Sequence, residues 1–257
     1  MANPHGSFIW YELLTPDVDA AQAFYEKIVG WSVAGFAGAP MDYRIASAPD
    51  GTGVGGIMAS PTGPEGENLR PGWFGYVGVD DVDASVAATT AAGGSVLVPA
   101  MDMEGVGRMA MLADPQGAVF QVMRGASPDD SKAYDPEAVG HCNWNELNTS
   151  DQDAAFAFYA GDFGWTKGEA MEMGPMGIYQ MLDLGGRSFG AMMTAPNGMP
   201  PSWTFYFGVP DIDAAHRAIA DGGGNVHHGP AEIPGGSYIV IAGDPHGATF
   251  GVVGPRK

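Results

Sequence analysis

The 257-residue chain carries 30 acidic and 11 basic side chains, a formal charge of −19, and is 45% hydrophobic but only 16% charged. That hydrophobic content argues against disorder, and the length fits two domains more readily than one. The charge repels phosphate backbones and anionic bilayers, which argues against nucleic-acid and membrane partners.

In chain order, Phe8–Thr15 reads as a strand and Asp17-Val18-Asp19-Ala20 as a helix start. The first Asp is placed to cap unpaired backbone N–H groups, and the second opposes the positive end of the helix dipole. Val18, Ala21, Phe24, Tyr25 and Ile28 form an apolar stripe at helical spacing, and Gly30 suits a left-handed helix end. Three further strands follow at Trp31–Phe36, Tyr43–Ala48 and Val54–Ala59. The order then restarts: a strand at Trp73–Val79, the cap Asp81-Val82-Asp83-Ala84, and a helix closing at Gly93. Strands at Ser95–Val98, Arg108–Leu112 and Ala118–Met123 complete this second module. Gly125–Gly140, rich in Asp, Pro and Ser, reads as a linker.

Beyond the linker the chain repeats itself. Trp144 to Trp165 matches Trp10 to Trp31 at thirteen of twenty-two positions with no gap, including Glu12/Glu146, Phe24-Tyr25/Phe158-Tyr159 and Gly30-Trp31/Gly164-Trp165. Asp151-Gln152-Asp153-Ala154 and Asp211-Ile212-Asp213-Ala214 open two more helices, closing at Gly164 and Gly222. Asp114-Pro115-Gln116-Gly117-Ala118 recurs as Asp244-Pro245-His246-Gly247-Ala248, at a slightly shorter offset than the first match. The chain is thus a tandem duplication with a small deletion, built from one strand–helix–three-strand module used four times.

These motifs, in the same order in both halves, resemble the vicinal oxygen chelate superfamily of glyoxalase I, bleomycin-resistance proteins and extradiol dioxygenases. The Trp-x-Glu-Leu-x-Thr-x-Asp run is similar to its tandem two-domain glyoxalase-like branch. The resemblance implies an α+β fold of four βαβββ modules pairing into two domains, each a cup: 5–125, then a linker at 126–139, then 140–255. It also places the family's metal ligands on the first and last strand of each module. Those positions fall here on Trp10, Phe74, Trp144 and Thr204, on Gln121 and Gly251, and near Met58 and Met192. Such side chains do not bind zinc, nickel or iron in the usual N/O fashion. No cofactor is therefore expected, while a divalent metal held by ligands converging from elsewhere stays open.

Strand alternation sets Trp10, Glu12 and Leu14 on one face and Tyr11, Leu13 and Thr15 on the other. By the resemblance the first set faces the cup, which puts Glu12 and Glu146 among aromatics. Two readings stand: a general base with raised pKa that removes a proton beside a carbonyl, or a structural carboxylate copied by duplication. Trp10, Phe74, Tyr76, Gln121, Trp144 and Tyr206 are the substrate-binding candidates, against a plain reading as core filling. The six histidines have no metal-ligand spacing; His5 and His246 are expected in solvent, and one ring of His227-His228 inward. Cys142 reads as an inert buried thiol, and the fifteen methionines as adaptable pocket walls and core filling. Neither glycine-rich run, Gly51–Gly56 or Gly222–Gly224, is a phosphate loop.

The functional expectation is a glyoxalase-like lyase or isomerase for a small carbonyl or aromatic metabolite. The alternatives are a small-molecule sequestration protein and a metal-dependent dioxygenase. No run approaches the roughly 18 apolar residues of a membrane span, and the first residues lack a signal-peptide pattern. A cytoplasmic monomer or homodimer with a small-molecule ligand is expected.

Overall fold

The computed structural model describes residues 3–37, 41–60, 70–195 and 198–257. The first half runs β1 (Phe8–Thr15), α1 (Val18–Val29), β2 (Ser32–Gly35), β3 (Tyr43–Ser47), β4 (Gly53–Ala59), β5 (Gly72–Gly78), α2 (Val82–Ala91), β6 (Ser95–Met103), β7 (Gly107–Ala113) and β8 (Val119–Gly125). The second half runs β9 (Cys142–Thr149), α3 (Gln152–Phe163), β10 (Thr166–Glu172), β11 (Ile178–Leu184), β12 (Arg187–Thr194), β13 (Ser202–Gly208), α4 (Ile212–Asp221), β14 (Asn225–Glu232), β15 (Tyr238–Gly243) and β16 (Thr249–Gly254). The strands form two eight-stranded mixed sheets, ordered β2-β3-β4-β1-β5-β8-β7-β6 and β10-β11-β12-β9-β13-β16-β15-β14. In each module the first strand lies parallel to the last, as in β1 beside β4 and β13 beside β16. The α+β class, the four βαβββ modules and the tandem domains are as expected. Among the described residues no helix is long and apolar enough to cross a membrane.

The helix ends follow the sequence signals closely. Asp17, Asp81, Asp151 and Asp211 each accept a hydrogen bond from the backbone N–H of the alanine three residues on. The second Asp of each motif does more than oppose the dipole. Asp19 pairs with Arg44, Asp83 with Arg108, Asp153 with Lys167 and Asp213 with Arg256, at 2.6–3.1 Å. These exposed pairs contribute little each, about 0–1 kcal/mol, but they tie every helix start to a neighbouring segment. Gly30 and Gly164 are left-handed at φ 81° and 68°. Gly222 is not, with φ −83°; the left-handed residue there is Gly223, as it is Gly93 in the second module.

The described chain divides into two compact units. One gathers the chain up to Ile9 with Gly75–Ser131 and Asn145–Thr204; the other gathers Trp10–Phe74, Lys132–Trp144 and Phe205–Lys257. In the Trp10–Phe74 unit, Tyr11, Trp31, Trp73 and Phe207 pack as an aromatic core. Trp73 Nε1 donates to the Tyr25 hydroxyl at 2.9 Å, and that hydroxyl donates to Asp244 Oδ2 at 3.2 Å. The other unit repeats the device: Trp203 Nε1 donates to Tyr159 at 3.1 Å, and Tyr159 to Asp114 Oδ2 at 3.0 Å. In both, Oδ1 of the Asp accepts backbone N–H groups of its own Asp-Pro-x-Gly turn. The repeated Phe-Tyr and Asp-Pro-x-Gly motifs therefore meet in the cores. Burial and the adjacent carboxylate push both tyrosines well above the usual phenol range, and burial raises Asp114.

The histidines and the cysteine have structural surroundings. His141 is buried, with Nδ1 2.6 Å from the Lys132 carbonyl and Nε2 3.2 Å from Asp50 Oδ2. His5 is not in open solvent as expected: it accepts from the Asp80 N–H and donates to the Asp162 carbonyl. His246 is also not in open solvent as expected: it is half-buried, and its backbone N–H donates to Asp244 Oδ1 of its own turn. His227 and His228 are both exposed, because a bulge interrupts strand alternation there. Cys142 is fully buried and its thiol is pushed up to about 12, so it is inert.

Candidate functional site

Strand β1 positions the first candidate carboxylate. Tyr11 enters the aromatic core, so Trp10 and Glu12 take the opposite face of the strand. Glu12 is only 7% exposed. Its partner is Tyr43, at the start of β3, whose hydroxyl donates to the Glu12 carboxylate and accepts the Trp10 indole N–H at 3.0 Å. The glycines of β4 make room for this group. Gly56 is paired with Glu12 across the sheet, and a Cβ there would overlap the Tyr43 ring and hydroxyl. A Cβ on Gly53 would rest against the Trp10 ring. Gly53 and Gly56 thus leave room for the two aromatic rings.

Burial first, and the Glu12 charge second, push the Tyr43 phenol far above its usual range; the Trp10 N–H opposes this only in part. Tyr43 consequently keeps its proton and acts as the hydrogen-bond donor to Glu12. The carboxylate is thus met by a neutral hydroxyl group.

The duplicate, in the other unit, has the same chemistry. Glu146 on β9 is also 7% exposed. Its Oε2 accepts the Tyr179 hydroxyl at 2.9 Å, and its Oε1 accepts the Asn148 amide at 3.2 Å. Asn148 stands where the first copy has Leu14. Ala191, not glycine, pairs with Glu146.

Of the other candidates, Tyr76 and Gln121 are register partners on β5 and β8 and are both buried. Tyr206 and Gly251 are partners on β13 and β16, and the Tyr206 ring covers the Gly251 α-carbon. Phe74 and Trp144 are half-buried, as is Trp10. Thus Trp10 and Glu12 are joined through Tyr43, while Glu146 is joined to residues the sequence did not single out. Tyr43, Tyr179 and Asn148 were missed; a tyrosine at the first β-hairpin of each half was the available signal.

The family's metal does not fit the residues at its positions. The one heteroatom of Trp10 is a donor already committed to Tyr43, and Tyr206 fills the space beside Gly251. Among the described residues no group of three or more His, Cys, Asp or Glu could hold a metal ion.

The model of the Glyoxalase/Bleomycin resistance protein/Dioxygenase superfamily matches residues 7–122 and 138–252. The chain is 36% identical over 253 residues to "Putative glyoxylase CFP32" of Mycobacterium tuberculosis, covering 96% of this chain and 94% of that protein. It is 30% identical over 267 residues to "Anthracycline biosynthesis protein DauV" of a Streptomyces species, covering 98% and 94%. Its fold is similar to that of a Mn(II)-bound glyoxalase from Novosphingobium aromaticivorans, with a TM-score of 0.61, 18% identity, and coverage of 100% and 83%.

Proposed function

The chain belongs to the glyoxalase/bleomycin resistance protein/dioxygenase superfamily, and from that premise we propose that it is a glyoxalase-like lyase or isomerase. Its substrate is a small carbonyl or aromatic metabolite, and its acid/base groups are Glu12 and Glu146. The observation that carries this reading is the buried carboxylate–phenol pair, made once in each half. An anionic carboxylate that is desolvated yet fixed in direction is suited to lifting a proton from carbon beside a carbonyl. Tyr43 and Tyr179 hold the carboxylates, and Tyr43 retains its own proton. Trp10, Phe74, Tyr76, Gln121, Trp144 and Tyr206 are the proposed substrate-binding residues. The name of DauV supports the aromatic end of the substrate range. Dioxygenase chemistry through the family's metal has no support in the residues at its ligand positions.

The test is solvent exchange. In D2O the wild-type protein should speed replacement of the α-carbon hydrogens of 2-hydroxyacetophenone by deuterium, read by proton NMR. Glu12→Gln should remove the Glu12 share of that exchange, and Glu12→Gln combined with Glu146→Gln should slow it about 100-fold or more, the range of general-base contributions. Unchanged exchange in a folded Glu12→Gln protein would remove Glu12 from the mechanism.

A second reading is sequestration of an aromatic or cationic small molecule. It is favoured by the half-buried rings of Trp10, Phe74 and Trp144, which offer binding faces without requiring chemistry. It predicts ligand binding with no exchange. Cytoplasmic residence and a monomeric or dimeric state belong to the same proposal.

A further inference from the structure

Strand β8 alternates sharply. Phe120 packs on Phe158, Tyr159 and Phe163 of α3, so Gln121 and Met123 lie on the opposite, helix-free face of the sheet. Cross-strand register shows what surrounds Gln121 there. Tyr76 is its partner on β5 and Met111 on β7, while Met109 pairs with Met123 and Met101 with Met109. The face is a methionine surface centred on one amide. It grades from the buried Met111 and Met109 through the half-buried Met123 to the exposed Met101.

Gln121 is 1% exposed, and its Nε2 has no hydrogen-bond partner among the described residues. Among those residues it is the one such orphan that lies within a strand. The duplication supplies a comparison. At the equivalent place β16 has Gly251, with the Tyr206 ring over it and Ile241, Ile239 and Val253 around it by register. The module therefore folds without any polar group at this position, and its stiff β-branched neighbours close the space. Burying an amide donor without a partner opposes folding, so packing gives no reason for Gln121. Flexible, polarisable methionines around it make a wall that adapts to a ring.

We propose that Gln121 and its methionine surround form a binding site for a flat, uncharged aromatic carbonyl compound, whose oxygen accepts the Gln121 amide N–H. The acceptor is neutral because no cationic side chain shares this face among the described residues: Arg108 is drawn to Asp83 on α2, on the helix side. This rests on the small-molecule reading above but needs neither Glu12 nor Glu146 to be catalytic.

The test uses 9-fluorenone and fluorene, flat molecules of nearly the same shape that differ in one carbonyl group, with binding read by equilibrium dialysis on the whole chain. Fluorenone should bind about fivefold or more tightly than fluorene, the worth of one net hydrogen bond. In Gln121→Met that preference should vanish, fluorene binding should persist, and thermal stability should hold or rise. Equal affinities in the wild type, no binding of either, or a preference that survives in Gln121→Met would each overturn the proposal. Should Gln121→Met fail to fold, the wild-type side-chain amide resonances of a ¹⁵N-labelled sample decide the matter. Fluorenone must shift one amide pair that fluorene leaves in place, and failure to do so overturns the proposal. Solvent exchange in Glu12→Gln is a separate readout, so either idea can fail alone.

Discussion

A single methyl group at Gly56 should disable the Glu12 pair. An ideal Cβ there falls well inside contact distance of both Oη and Cζ of Tyr43. Restoring ordinary packing separation requires the phenol to move by about 1 Å or more. The Trp10 N–H bond to that hydroxyl is 3.0 Å long, so such a shift breaks it, together with the bond to Glu12. One neutral bond and one bond to a charged group are then lost, about 2–4 kcal/mol in all. Gly56→Ala should therefore lower unfolding free energy in urea by that amount and, in a Glu146→Gln background, slow deuterium exchange into 2-hydroxyacetophenone about tenfold or more. The other copy provides the control, because Ala191 already stands opposite Glu146. Ala191→Gly should cost only the strand preference for alanine, about 0.5–1 kcal/mol. A Gly56→Ala protein that matches wild type to within about 0.5 kcal/mol, the spread of an inconsequential substitution, and is unchanged in exchange would refute the steric argument.

Three further outcomes are expected. Tyr25→Phe and Tyr159→Phe should each cost about 2–4 kcal/mol in urea unfolding, since each strands a buried indole N–H and a carboxylate oxygen; losses below about 0.5 kcal/mol would count against the relays. Asp114 has a folded pKa raised above its unfolded value, so its favourable contribution is complete below the unfolded pKa and is lost as pH rises through the folded one. Wild type should accordingly gain stability relative to Asp114→Asn as pH falls from 7 toward 4, and a loss over that interval would reverse the sign. Asn148→Leu removes the Glu146 contact that the first copy lacks; it should leave exchange by Glu12 unchanged, and a fall to the rate of buffer alone would show that Glu146 carries the turnover.

Local signals were the most legible part of the fold. The four Asp caps and the duplicated strand order are set by residues a few positions apart, and the structure keeps all of them. Gly222 misled by one residue because three glycines in a row satisfy the same end geometry, and Gly223 takes it. The role of the Asp-Pro-x-Gly turns was not readable, since Asp244 meets Tyr25 from the far end of the chain. Tyr43 and Tyr179 escaped for a similar reason. Their spacing differs from the offset that relates Glu12 to Glu146, so the ungapped repeat does not align them. Their meaning comes from a hydroxyl reaching another strand. Gln121 was legible as a position, but whether an amide has a partner is decided only by packing.

Buried carboxylates held by phenols are proposed to move a proton on carbon. The most direct measurement is deuterium exchange into 2-hydroxyacetophenone by Glu12→Gln, Glu146→Gln and the double variant, each checked for native unfolding in urea. The folded double variant is expected to fall to the rate of buffer alone. Exchange by the double variant at the wild-type rate would contradict it.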